Sequence, residues 1–275
     1  MGKLEVIKTG PLATIQDKGR FGFRRYGIPQ SGAMDWESMQ RANSLVRNDL
    51  KYPVVEFALM GLTLKAFEPS VIGVVGASCK LNGVLQQKET LALKAGDVVE
   101  ISPPNKVYAY VGIKGLLEAN KEFNSYSTYL MAGFGGHEGR ALQKGDTLVS
   151  NVQKEFSTDG VEITNGGSSI RFTRGPEWAF LNTPLNKQTF SVDPSSNRMG
   201  IRLNGQPLKC SISEISSSAV IPGTIQLPAS GQPIILMNDC QTTGGYPRIG
   251  NVLTEDLGKL AQIKPGQNLS LHEIE

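Results

Sequence analysis

The chain has 275 residues, 39% of them hydrophobic, enough apolar material for one large core or two modest ones. Its 28 basic and 25 acidic residues leave a net charge of +3, which gives no electrostatic footprint for nucleic acid or an anionic membrane. Two histidines, His137 and His272, leave little scope for Ser-His-Asp, Cys-His or histidine-rich zinc chemistry. In chain order, Asp35 suits a helix N-cap, and Met39, Ala42 and Val46 recur at helical spacing behind it. Strand-like runs follow at LTLKAF (62–67), VIGVVGA (71–77), DVVEI (97–101) and VYAYVGI (107–113). Later ones are SIRFTRG (169–175), QTFSVD (188–193), PIILMND (233–239) and NLSLHEI (268–274). A second helix is predicted from Thr254 as cap, with Leu257, Leu260 and Ala261 inward and Pro265-Gly266 as terminator. Tight turns are expected at Asn82-Gly83, Asn204-Gly205 and Gly145-Asp146.

Glycine and proline, 31 and 15 residues, exceed the roughly 12% share of average usage, as many short elements require. Two helices among many short strands predict a mainly β protein built of barrels or sandwiches, not a parallel α/β fold. The polar stretch 157–169 reads as a domain connection, giving an N-terminal β domain over 1–160 and a C-terminal one over 161–275. Cys79, Cys210 and Cys240 form no C-x-x-C pair and read as reduced thiols. The opening MGKLEVIKTG lacks a signal-peptide layout, and no apolar run approaches a bilayer-spanning length. A soluble, cytoplasmic chain without a membrane or nucleic-acid partner is expected.

Four glycine-rich polar clusters are the candidates for chemistry. In 16–35, Asp17, Arg20, Arg24, Arg25 and Asp35 stand among glycines, in a segment expected to bury little. Arginines there suit a carboxylate or phosphate, and a solvated surface loop is an equal alternative. In GFGGHEGR (133–140), successive glycine amides suit an anion, although a plain turn between strands is the commoner use. His137 lies in this loop and is expected to be incidental. In SSNRMG (195–200), Arg198 belongs either to a site or to a surface hairpin. In NDCQTTGGYPRIGN (238–251), Asp239, Thr242, Thr243, Tyr246 and Arg248 leave the end of an apolar run, a common way to present reacting groups. Cys240 has no histidine nearby in sequence to activate it.

These segments, in this order, resemble one family. QDKGRFG from Gln16, YGIPQSGAMD ending at Asp35, Ala42, Asn43 and Glu56 are similar to the allophanate hydrolase subunit 2 family. SYSTY from Ser125, GGHEGR from Gly135, RMG from Arg198, Ser213-Glu214, GTIQLP from Gly223 and DCQTTGGYPRI from Asp239 extend the resemblance along nearly the whole chain. That family contains the C-type subunits of 5-oxoprolinase and is also described as biotin-dependent carboxyltransferase. The resemblance implies two β-barrel-like domains, the C-terminal one cyclophilin-like, with few short helices. It implies partners as well: a B-type subunit, and an A-type subunit of TIM-barrel-like form. Together these would open 5-oxoproline to L-glutamate with ATP and Mg2+, the nucleotide being shared with a partner.

A lactam carbonyl is a poor electrophile, so phosphorylating its oxygen would activate the ring for attack by water. On residue type, Arg20 and Arg198 are expected to clamp phosphates, and Asp17, Asp35 and Asp239 to hold a metal ion or water. Gln226, Gly244, Gly245 and Tyr246 are expected at the substrate, and Gly135, Gly136 and Arg140 at phosphate. Changing Arg20 or Asp239 to Ala is expected to abolish turnover with fold and complex intact. The sequence departs from its relatives at Lys114, where a second glycine is common, and it has no A/V-M-K-M attachment motif. Biotin, if used, must arrive on another protein. One rival is the carboxyltransferase component of a urea carboxylase-like system. Another is a non-catalytic regulatory partner of a kinase inhibitor of the B-type kind.

Overall fold

A computed structural model describes residues 2–151, 167–185 and 188–274. The chain divides into two compact units, residues 1–20 with 31–164 and residues 21–30 with 165–275. The expected connection over 157–169 and the boundary after residue 160 fall largely or wholly outside the described residues. Sequence alone does not suggest that residues 21–30 belong with the C-terminal unit.

The first unit is two antiparallel sheets. One has seven strands in the order Leu116–Leu117, Thr147–Asn151, Gly2–Lys8, Leu62–Ala66, Val98–Ile101, Cys79–Leu81 and Val84–Gln86. The other has five: Ala13–Gln16, Val54–Ala58, Tyr108–Ile113, Ser70–Val75 and Thr90–Leu93. Alternation in Gly2–Lys8 and Leu62–Ala66 sends Leu4, Val6, Leu62 and Leu64 inward. There they share one core with Ile15, Val55, Phe57, Ile72 and Val111 of the second sheet. Of the two forms open at sequence level, this unit takes packed sheets.

Helix α1, Trp36–Leu45, lies on the five-stranded sheet. Asp35 caps it as expected, accepting from the Ser38 amide at 3.2 Å and the Ser38 hydroxyl at 2.6 Å. Gly73 and Gly112 are cross-strand partners beneath it. A Cβ on Gly112 would collide with the Ala42 carbonyl, and one on Gly73 would lie 2.9 Å from the same oxygen. The glycines in VIGVVGA and VYAYVGI therefore form the notch that admits the helix. Asn82 (φ 49°) and Gly83 (φ 82°) close the predicted hairpin between Cys79–Leu81 and Val84–Gln86.

The second unit contains a closed barrel of Ser169–Arg174, Arg248–Val252, Thr224–Gln226, Ile234–Leu236, Gly200–Asn204, Thr189–Val192 and Asn268–Glu273. Parallel pairing of the last strand with Ser169–Arg174 closes the ring. Ile170, Phe172, Phe190, Leu203, Ile225, Ile235, Leu269 and Leu271 are buried in this unit. Helix α2 spans Thr254–Ala261. Its N-cap is Leu253, so Thr254 is the first helical residue and not the cap, and the helix ends before Pro265. The Asp256 carboxylate accepts from the Arg171 amide and guanidinium at 2.8–2.9 Å, tying the helix to a barrel strand. Asn204-Gly205 makes no two-residue hairpin. Asn204 ends its strand, and the Gly205 amide donates to Gln232 Oε1 at 3.0 Å. Among the described residues there are two α-helices, and neither is long and apolar enough to cross a membrane.

Candidate functional site

In the first unit the strand Ala13–Gln16 delivers Asp17 into a pocket of donors. Its carboxylate accepts from Ser125 Oγ (2.6 Å), Ser127 Oγ (2.5 Å), the Tyr126 amide (2.7 Å) and the Gly19 amide (2.8 Å). Arg20 is fully buried, donates Nη2 to the Ser127 carbonyl, and lies 4.6 Å from the Phe134 ring centroid. Gly135 packs against the same pair, and a Cβ there would collide with the Ser127 carbonyl. Asp17, Arg20 and Gly135 thus converge on the segment 125–127. The expectation that this stretch buries little is corrected: Asp17, Arg20 and Asp35 are all buried, because Ser125 and Ser127 supply donors and a carbonyl to the first two and Ser38 supplies donors to Asp35.

Asp35 stands in a second network. Its amide donates to Tyr110 Oη at 2.9 Å, and that hydroxyl donates to Glu56 Oε2 at 2.8 Å. Burial, with the Glu56 and Asp35 charges, holds the Tyr110 phenol well above its usual value. Glu56 sits in a strand whose five residues, VVEFA, are all buried. A lone acid inside such an apolar run is the sequence signal for it. Arg140 pairs with Asp146 at 2.7 and 2.9 Å and with Glu138 at 3.0 Å. The guanidinium bonds hold the Asp146 carboxyl down at about 2. His137 Nε2 is 3.3 Å from Asp146 Oδ1, and the Gly136 amide donates to the Asn120 carbonyl at 3.1 Å.

In the second unit Arg198 and Asp239 meet. Arg198 Nε donates to Asp239 Oδ2 at 2.7 Å and Nη2 to Oδ1 at 3.2 Å, while the Asp239 amide donates to the Arg198 carbonyl at 2.9 Å. The neighbouring Cys240 is buried, and burial pushes its thiol up despite the Arg24 guanidinium 3.8 Å away. Arg24 comes from the segment 21–30. Its Nη2 donates to the Val220 carbonyl and, at 2.9 Å, to the Gln241 carbonyl. Gln241 in turn donates Nε2 to Gln226 Oε1 at 3.4 Å.

Two buried donor atoms in this group, Arg24 Nη1 and Gln226 Nε2, have no hydrogen-bond partner among the described residues. Gln226 is only 2% exposed, and a Cβ on Gly244 would lie 2.5 Å from its Nε2. Gly244 therefore leaves a space before that amide that no other residue would leave. The Gly245 carbonyl accepts from the Ile215 amide at 2.8 Å, and Tyr246 is 43% exposed. Arg248 pairs with Glu177 at 2.9–3.0 Å and donates to Ser218 Oγ at 2.9 Å. Sequence reasoning passes over Gln241 and Glu177, and leaves Arg24 evenly between a ligand site and a solvated surface loop. Their partners lie from 15 to 217 positions away.

The donor sets do not fit a metal ion. Among the described residues no three His, Cys, Asp or Glu side chains gather as ligands. Asp17 is filled by two hydroxyls and two amides, Asp35 caps a helix, and Asp239 faces a guanidinium. The arrangement in the second unit instead suits hydrogen-bond donation to acceptor oxygens from a guanidinium and a carboxamide.

A closed barrel with two unpartnered buried donors, Arg24 Nη1 and Gln226 Nε2, beside a glycine turn is a candidate small-molecule site on a mainly β scaffold. The family description "Carboxyltransferase domain, subdomain A and B" matches residues 26–273. The chain is 38% identical to the C-type subunit of 5-oxoprolinase from Escherichia coli strain K12, over 96% of this chain and 89% of that protein. It is 35% identical to the corresponding 5-oxoprolinase protein of Haemophilus influenzae, over 98% and 91%. The crystal structure of the K. lactis urea amidolyase superposes with a TM-score of 0.92 at 27% identity, over 99% of this chain but 19% of that one. This protein belongs to the carboxyltransferase domain, subdomain A and B, family.

Proposed function

We propose that this chain is the C-type component of an ATP-dependent 5-oxoprolinase, which opens 5-oxoproline to L-glutamate through a phosphorylated lactam. The observation that carries the reading is coverage. The similarity runs over 89% of a relative named as a component of 5-oxoprolinase, but over only 19% of the urea amidolyase chain. Partners of B and A type complete the enzyme in this reading. The nucleotide and its Mg2+ are assigned to a partner, since Asp17, Asp35 and Asp239 are already occupied as a hydroxyl acceptor, a helix cap and a member of an ion pair.

The chain's own contribution is placed at Gln226, Gly244 and Arg24. A lactam acid carries two kinds of acceptor, a ring carbonyl and a carboxylate. Gln226 Nε2 and Arg24 Nη1 are buried donors of the matching kinds. Desolvation strengthens such bonds and discriminates against ligands that lack the acceptor. The Arg198–Asp239 pair is read as positioning the loop 238–246 around them. Tyr246, exposed at the loop's far end, is read as a contact to the substrate or to a partner.

The test is glutamate release from 5-oxoproline and Mg-ATP with the A- and B-type proteins of the same genome, with and without this chain. Release that requires this chain supports the reading. An inert complete mixture overturns it, and carboxyl transfer from carboxybiotin to an amide then takes its place. That second reading rests on the fold shared with the urea amidolyase.

A further inference from the structure

A second surface lies wholly within the first unit. The strand Val54–Ala58 ends in a three-residue turn in which the Met60 amide donates to the Ala58 carbonyl at 2.7 Å. Leu59, at its centre, has φ 65°, a conformation that costs an L residue with a bulky side chain energy. The turn directs Leu59 and Met60 into solvent, 69% and 46% exposed. Beside it stands the edge hairpin, with Val84 65% and Leu85 62% exposed. Leu59, Met60 and Leu85 border a cavity of about 400 Å³, whose charged lining is Lys8, Lys80 and Glu100.

We propose that this surface docks a partner protein chain through a segment that is apolar and acidic, its apolar side chain filling the cavity and its carboxylate meeting Lys8 and Lys80. The partner requirement rests on the proposed function, while the location and chemistry come from the surface. Glu100 is the register partner of Lys80 across the strands, and with two lysines against one glutamate the lining stays net positive. A second copy is disfavoured, because a two-fold contact brings together two linings that are each net positive. A small ligand would fill the cavity and still leave Val84, which lies outside its lining, in water, whereas a protein chain covers the hairpin as well.

The experiment titrates the purified B-type protein of the same genome into this chain by calorimetry. The variants Leu59→Lys and Leu85→Lys are compared with Lys80→Glu, and sedimentation of the chain alone is run in parallel. The proposal expects each variant to weaken the complex about tenfold or more, with unchanged melting temperature for the two leucine variants. Lys80→Glu should also reduce the salt dependence of binding. A complex indifferent to all three variants overturns this docking surface and leaves the proposed function standing. Absence of any complex with the unmodified chain overturns both. Self-association that Leu59→Lys abolishes would assign the face to a second copy and overturn the proposal.

Discussion

Arg198 and Asp239, 41 positions apart in sequence, form a two-point pair at 2.7 and 3.2 Å in which the side chains are 15% and 9% exposed. Removing one member takes from a largely buried charge the counter-ion it faced, which costs about 3–5 kcal/mol for a fully buried pair and less here. Asp239→Ala should therefore destabilise the protein by about 2–3 kcal/mol. The double variant with Arg198→Ala should lose less than the sum of the singles, as urea unfolding will show. Additive losses would mean that the two side chains are energetically independent.

Sequence alone treats Arg20 as replaceable without harm to the fold. Its complete burial, its bond to the Ser127 carbonyl and its ring contact with Phe134 predict otherwise. Arg20→Ala should cost about 3 kcal/mol or more and lower the melting temperature by several degrees. An unchanged melt would return Arg20 to the role of a clamp.

Gly244→Ala tests the space before Gln226. Its φ is not in the left-handed region, so backbone strain does not enter. The added methyl lies against Gln226 Nε2, and displacement of that amide should cut kcat/KM of the assembled enzyme about tenfold to hundredfold. The melting temperature should move little. Full activity would remove Gln226 Nε2 from substrate binding.

Acid stability carries a signature of Asp146. Bonding to Arg140 depresses its folded value to about 2, below the unfolded value of about 4. A depressed carboxyl contributes stability that is present above the unfolded value and is lost as pH falls through the folded one. Its share should thus be complete above about pH 4 and disappear toward pH 2. Asp146→Asn should flatten this part of the stability profile, measured by denaturant titration across that range. An unaltered acid limb would show that the pair does not contribute.

Asp35→Ala should lose about 1 kcal/mol of helix capping, and Asp35→Ser should recover most of it. If the serine variant restores stability but not turnover of the assembled enzyme, the carboxylate has a role beyond the cap.

Features governed by neighbours in sequence are legible without coordinates. The alternation in 62–67, the left-handed Asn82-Gly83 turn and the cap at Asp35 each depend on residues within one turn or strand. Thr254 misleads because a hydroxyl before acidic residues resembles a cap, whereas α2 starts after Leu253 and Asp256 serves Arg171. The clusters at 16–35 and 238–251 are visible as clusters. Their internal assignments are not, since charge and glycine content do not say which side is packed.

Sequence by itself determined a mainly β chain with short strands, two brief helices and four glycine-rich polar segments, because backbone propensity and side-chain alternation act locally. Tertiary structure alone decided that Arg20 is interior, that Asp239 faces Arg198, and that Arg24 reaches the carbonyls of Val220 and Gln241. Each of those outcomes depends on which distant segment supplies the hydrogen-bond partner once water is excluded. Burial of a charge is tolerated only where the folded chain brings that partner to it.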